Sequence, residues 1–208
     1  MNAEQIKKMI LTVAEELPKH TLELCALDGK VGDGDHGLTV ERGFKAVMEV
    51  LNANEYETPA QLFKSCGDTL MNTMGGAIGP ILGSFFRGGN KKLKDIKEFG
   101  IDEFEILLQG GLKQIQLIGE AKEGDRTLVD ALAPAVRAFS AAKEEGAELK
   151  DCMEKAAIAA EEGAQNTKNM IAKKGRAKFL EEKSLGYVDA GATTMSIILR
   201  SMSNFLNG

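Results

Sequence analysis

Apolar residues in this chain recur at steps of three and four almost from end to end, and nowhere alternate for long in the period of two that a strand requires. Ile6, Ile10, Val13 and Leu17 form a first stripe, which Pro18 bends or ends. Ile101, Phe104, Leu108, Leu112 and Ile115 form a second, and Val129, Leu132, Val136 and Phe139 a third. Met153, Ala157, Ala160, Ala164 and Ile171 make a fourth, whose small residues let a neighbouring helix approach closely; Met195, Ile198, Met202 and Phe205 make a fifth. Further helices fit Leu38 to Val50, Pro59 to Met71 and Ile78 to Phe86. Neither a Pro/Ser-rich linker nor a fixed-period repeat divides the chain, so the pattern predicts one all-α, up-and-down domain over residues 1–208.

With 208 residues, 43% of them hydrophobic, such a domain can bury its own core without staples. A net charge of −5 argues against nucleic acid as the main partner. The basic run "AKKGRAK", Ala172 to Lys178, leaves room for one anionic ligand, although a solvated loop has the same composition. Cys25, Cys66 and Cys152 are widely spaced, odd in number and free of any CxxC pair, which fits small core hydrophobes in a reducing compartment. The first twenty residues lack the apolar stretch of a signal peptide, and no apolar run is long enough to span a membrane. A cytoplasmic location is the expectation.

Glycine collects at the helix junctions, in "DGKVGDGDHG", "MGGAIGP", "RGG", "GEAKEGD", "KKGR" and "DAGA". Ordinary helix termination accounts for "FRGGN" and "KEEGAE". Elsewhere glycine neighbours a chemically useful residue just before a helix start, where free backbone N–H groups favour an anion.

The densest junction is "LDGKVGDGDHG", which places Asp28, Asp33 and Asp35 within eight residues with only Lys30 to offset them. An EF-hand is excluded: counted from Asp33, Leu38 falls where glycine is needed and Phe44 where glutamate is needed. Zinc is disfavoured, because His36 has no cysteine or second histidine at ligand spacing. Helix capping would use one aspartate and leave the others unexplained. A hard divalent cation such as Mg²⁺, completed by phosphate oxygens at the helix start His36–Thr39, fits all three. Arg176 is the first candidate for the fixed positive charge beside those phosphates, and Arg126 of "GDRT" the second. The chain has no GxxxxGK[ST] loop and no GxSxG elbow, and Ser84, Ser184 and Cys66 read as structural. The sequence is equipped to hold a phosphorylated compound and shows no nucleophile to activate.

Taken together and in order, "LDGKVGDGDHG", "MGGAIGP", "GEAKEGDRT", "KKGRAKFLEEKSLG" and "DAGATT" resemble the nucleotide-binding L subunits of bacterial dihydroxyacetone kinases driven by the phosphoenolpyruvate-dependent phosphotransferase system. The resemblance implies an eight-helix antiparallel barrel with the nucleotide held by loops at one end. It implies that Asp28, Asp33 and Asp35 bind two Mg²⁺ ions, which hold the diphosphate of ADP or ATP. His36, Gly37, Leu38 and Thr39 then match the phosphate loop, and Ala77 and Ile78 match further nucleotide contacts. Gly119 and Leu128 match the adenine side, Arg176 another contact, and Asp189, Ala190 and Gly191 a closing loop.

In such enzymes ADP serves as a coenzyme, phosphorylated by a phosphohistidine on an M subunit and passing the phosphoryl group to dihydroxyacetone on a K subunit. Two departures stand out: Thr39 where Leu-Asn is common after "DHG", and Ala190 where the family has proline. His36 favours the phosphotransferase-driven type over relatives that use free ATP. An ATP-dependent triose or tetrose kinase subunit, or an ADP-dependent module docking a transcription regulator, are the alternatives.

Overall fold

The computed structural model describes all 208 residues, Met1 to Gly208, and contains helices and no strand. Ten α-helices follow one another: α1 (Ala3–Glu16), α2 (Thr21–Asp28), α3 (His36–Ala53), α4 (Pro59–Thr73), α5 (Ile78–Phe86), α6 (Asn90–Leu93), α7 (Ile101–Gly119), α8 (Val129–Glu144), α9 (Leu149–Asn166) and α10 (Ala190–Asn207). Short 3-10 turns occupy Leu17–His20, Thr167–Asn169 and Arg176–Ser184.

Local chemistry explains the boundaries. Asn2 and Thr58 open α1 and α4 through reciprocal capping boxes with Gln5 and Gln61, and Pro59 takes the first turn of α4 where its missing N–H costs nothing. Pro18 sits in the turn that ends α1. The sequence pattern marks α5 to the residue, and the longer helices run past their apolar stripes because exposed polar residues extend them. One expectation fails. Ile171 does not belong to the fourth stripe: α9 ends at Asn166, where the Thr167 hydroxyl donates to the Ala164 carbonyl, and Ile171 is 41% exposed beyond the turn. The eight-residue α2 and the four-residue α6 are too short to show a period.

Each long helix packs on the next, in the order α1, α3, α4, α5, α7, α8, α9, α10, and α10 returns to α1. Ile6, Ile10, Val13 and Leu17 of the first stripe are fully buried. One half of the interior is aromatic, with Phe63 stacked on Phe99 at 5.7 Å and Phe44 edge-on to Phe86 at 6.1 Å. In the other half Ala156, Ala157, Ala160 and Ala164 of α9 are buried and let α8 and α10 close in. Full burial of each large apolar side chain contributes about 1.5–3 kcal/mol. The helices therefore stand without help from the loops. No helix is long and apolar enough to cross a membrane.

The alternation of direction has a functional consequence. Helices α3, α5, α8 and α10 begin at the same end of the ring, where α4, α7 and α9 finish. Four helix N-termini thus face one another across the junction loops.

Candidate functional site: a cleft at the loop end

A cleft of about 640 Å³ opens among those loops, and the first residues of α3, α5 and α10 (His36, Ile78, Ala190) all line it, as does Leu128 just before α8. At one side the carboxylates of Asp28, Asp33 and Asp35 converge, with ligand-capable oxygens within 4.8 Å of one another. The loop is wrapped around Asp28, whose Oδ2 accepts from the backbone N–H of Gly34 at 2.9 Å and of His36 at 3.4 Å. A side chain at Gly32 would begin 2.3 Å from Asp28 Oδ1, so glycine there leaves the carboxylate its place. Asp35 occupies the N-cap position of α3 without using its carboxylate as a cap. Capping is thus not its task, and three hard oxygen donors stay directed at one point. Such a donor set fits Mg²⁺ that keeps part of its shell for water or phosphate.

One cation reaches this point, and a second lines the same cleft. Arg176, at the start of its 3-10 turn, pairs with Asp33. Arg42, one turn after Thr39 on α3, donates to the Thr73 carbonyl at 3.1 Å and also lines the cleft. Its three-residue spacing from Thr39 was the available sequence signal. His36 Nε2 lies 2.8 Å from Thr194 Oγ1. The threonine hydroxyl gives its own proton to the Ala190 carbonyl, so Nε2 carries the hydrogen and donates. Burial holds the His36 pKa below its ordinary value against the opposing pull of Asp28 and Asp35, which keeps the ring neutral at pH 7.

The opposite wall is apolar. Ile81 of α5, Ile115 and Ile118 of α7, and Ala121 face the cleft beside Gly119 and Leu128, making a slot suited to a flat heterocycle. Asp130 organises the adjoining loop, accepting from Gly124 N–H at 2.5 Å and Thr127 N–H at 2.7 Å. Period and motif gave no warning of Ile81, Ile115 or Ile118, because a residue at a helix end looks the same whether it faces core or ligand.

Of the residues singled out in the sequence, Asp28, Asp33, Asp35, His36, Thr39, Ala77, Ile78, Gly119, Leu128, Arg176, Asp189, Ala190, Gly191 and Arg126 line the cleft. Gly37 and Leu38 do not. Gly37 is buried against α2, and Leu38 points outward at 59% exposure. Ser84 and Ser184 are structural as expected, donating to the Ile81 and Glu181 carbonyls, and all three cysteines are free.

Asp189 caps α10 by accepting from Ala192 N–H at 2.8 Å. Desolvation pushes its pKa up to about 6, against the pull of that N–H and of Arg126. The folded protein therefore holds a proton there that the unfolded chain releases from about pH 4 upward, so this group's contribution makes stability fall as pH rises from 4 through 6. Asp189→Asn keeps the cap and removes the charge. It should stabilise the protein relative to the parent at pH 7 by up to about 3 kcal/mol, a rise in Tm of roughly 6–12 °C, with the difference vanishing by pH 4. Paired thermal melts across that range check it; a difference independent of pH would locate the effect elsewhere.

Comparison with known proteins agrees with this geometry. Residues 30–204 match the DAK2 domain. Over 180 residues, 86% of each chain, the sequence is 33% identical to the ADP-binding subunit DhaL of the PEP-dependent dihydroxyacetone kinase of Escherichia coli K12. It is 35% identical over 184 residues to human triokinase/FMN cyclase, covering 88% of this chain and 32% of the human one. The fold matches the dihydroxyacetone kinase of C. freundii, solved in complex with AMP-PNP and Mg²⁺, with a TM-score of 0.74 and 29% identity over 96% of this chain and 33% of that one. The chain belongs to the DAK2 domain family.

Proposed function

We propose that this chain, as a single nucleotide-binding unit over residues 1–208, is the ADP-binding subunit of a PEP-dependent dihydroxyacetone kinase, a phosphotransferase active with partner subunits. The convergence of Asp28, Asp33 and Asp35 beside four helix N-termini, opposite an apolar slot, is the observation that carries this reading. The relatives named as ADP-binding DhaL subunits in Escherichia coli and Lactococcus lactis support it.

Asp28, Asp33 and Asp35 would hold the two Mg²⁺ ions, whose charge offsets that of the phosphoryl oxygens during transfer. The protein's own residues hold and orient. Backbone N–H groups at the start of α5 would receive phosphate oxygens, Arg176 adds a fixed charge, and the slot formed by Ile81, Ile115 and Ile118 excludes water from the base. The serines and cysteines named above are spent on structure, which leaves acceptor activation to a partner. The acceptor, dihydroxyacetone, would reside on a K subunit and the phosphoryl donor would be a phosphohistidine on an M subunit, all in the cytoplasm.

A second reading, an ATP-using triose kinase module, draws on the identity to triokinase/FMN cyclase. Denaturing the purified protein and resolving the released nucleotide, with metal analysis alongside, tests the first reading. Near-stoichiometric ADP with Mg²⁺ is expected. Rapid exchange with free ATP and turnover without a phosphoprotein would favour the second, and a protein that neither carries nor takes up nucleotide would sink both.

A further inference from the structure

Arg126 is the least expected side chain in the cleft. It is 1% exposed, the largest fully buried side chain in the protein, yet it lines the ligand cavity. Its backbone adopts a left-handed conformation (φ 61°), which a residue with a Cβ holds only where its surroundings impose it. Two of its N–H groups are accounted for: Nε and Nη2 donate to the Tyr187 carbonyl at 3.2 and 2.8 Å, tying this loop to the segment that leads into α10. Nη1 is buried and has no hydrogen-bond partner.

A buried, unpaired guanidinium N–H is costly, because hydrogen bonds with water are lost and nothing replaces them. The opposite charge that acts on it is Asp189, which makes no hydrogen bond to Arg126 and already serves the α10 cap. The cleft floor therefore contains one N–H without a partner and an incompletely balanced positive charge. It lies next to the N-terminus of α10, whose Thr194 joins His36 at the edge of the carboxylate loop. A phosphate oxygen supplies both what Nη1 lacks and the charge the floor is short of.

We infer that Arg126 is a ligand-binding residue whose Nη1–H donates to a phosphate oxygen of the bound nucleoside diphosphate. This rests on the nucleotide reading above and adds to it a second arginine with a different role. Arg176 is two-thirds exposed and engaged with Asp33, whereas Arg126 is prepositioned in the floor. The Tyr187 bonds fix the guanidinium plane before ligand arrives, so little side-chain freedom is lost on binding.

The test compares Mg-ADP with adenosine, which fills the base slot and carries no phosphate, by calorimetry and displacement. Parent protein that binds Mg-ADP establishes the nucleotide site; parent protein that does not would overturn that reading, and this inference with it. Arg126→Gln should weaken Mg-ADP on the order of 30-fold, the value of a charged hydrogen bond, and adenosine less than about threefold. Arg126→Lys, which keeps the charge without the fork, should fall between. Equal losses for both ligands would mark Arg126 as a loop tie and overturn the inference, as would unchanged Mg-ADP affinity.

Because the glutamine variant loses the Tyr187 bonds and could fail to fold, the parent protein supplies an independent readout. The guanidinium ¹⁵N–¹H signals of Arg126, assigned with the lysine variant, should shift with Mg-ADP and stay in place with adenosine. Signals that respond alike to both ligands, or to neither, contradict the proposal.

Discussion

Asp35→Ala is expected to leave the helices intact and empty the cleft of nucleotide. Its carboxylate caps nothing and is exposed, so its removal takes no bond from the fold. The apo protein should melt within about 2 °C of the parent, as surface changes outside packed features do. Mg-ADP affinity should fall by about 100-fold or more, since the site loses one of its three hard donors and about 3 kcal/mol of charged contact. Asp28→Ala should do this and more. Gly34 and His36 lose the oxygen that accepts their N–H groups, so the loop opens without ligand, and apo stability falls by about 1–2 kcal/mol. Calorimetric titration with ADP, with and without EDTA, and apo melts by circular dichroism check both. In the parent, EDTA should mimic Asp35→Ala. Retention of ADP by Asp35→Ala, unaffected by EDTA, would show that the carboxylates do not act through a metal.

The contrast between the two aspartates shows what could and could not be read before the fold was known. The excess of negative charge in "LDGKVGDGDHG" was plain in the sequence, and so was the mismatch with calcium and zinc spacing. That Asp28 both holds the loop and faces the cleft was not, because the bonds from Gly34 and His36 depend on how the chain turns back. The helices were legible where a stripe ran for three turns or more, as in α7 and α8, since burying one face imposes a period. They were illegible where the helix is one or two turns long, as in α2, or where packing against a turn displaces an apolar residue, as at Ile171. The apolar wall escaped notice for another reason. Ile81, Ile115 and Ile118 satisfy a helix pattern whether they face protein or ligand. Arg126 appeared in the sequence as one of two candidate cations, and nothing in "GDRT" distinguished its buried, forked position from the exposed one of Arg176.

Gly37→Ala should be the most destabilising single-methyl change in the carboxylate loop, because Gly37 works against α2 and not toward the ligand. A Cβ there would start 2.1 Å from the Thr21 carbonyl and 2.9 Å from Cys25 Sγ. The carbonyl belongs to a helix whose first residue is already held by the Thr21 hydroxyl, which shares its single proton between the Pro18 carbonyl and the Glu41 carboxylate, so α2 cannot step aside cheaply. Overpacking costs about 1–3 kcal/mol where side chains can yield; against backbone the upper figure applies, a fall in Tm of roughly 6–12 °C. Leu38→Ala, one residue along and on the outer face, should change stability by less than about 0.5 kcal/mol and leave ADP affinity untouched. The pair separates two roles that adjacent residues in a phosphate loop could share. If Gly37→Ala lost ADP while melting like the parent, the backbone at Gly37 would be a ligand contact after all. If instead stability falls first and residual folded protein still binds, the glycine is there because two helices need to touch at that point, and the loop's shape is set by α2 before any nucleotide reaches it.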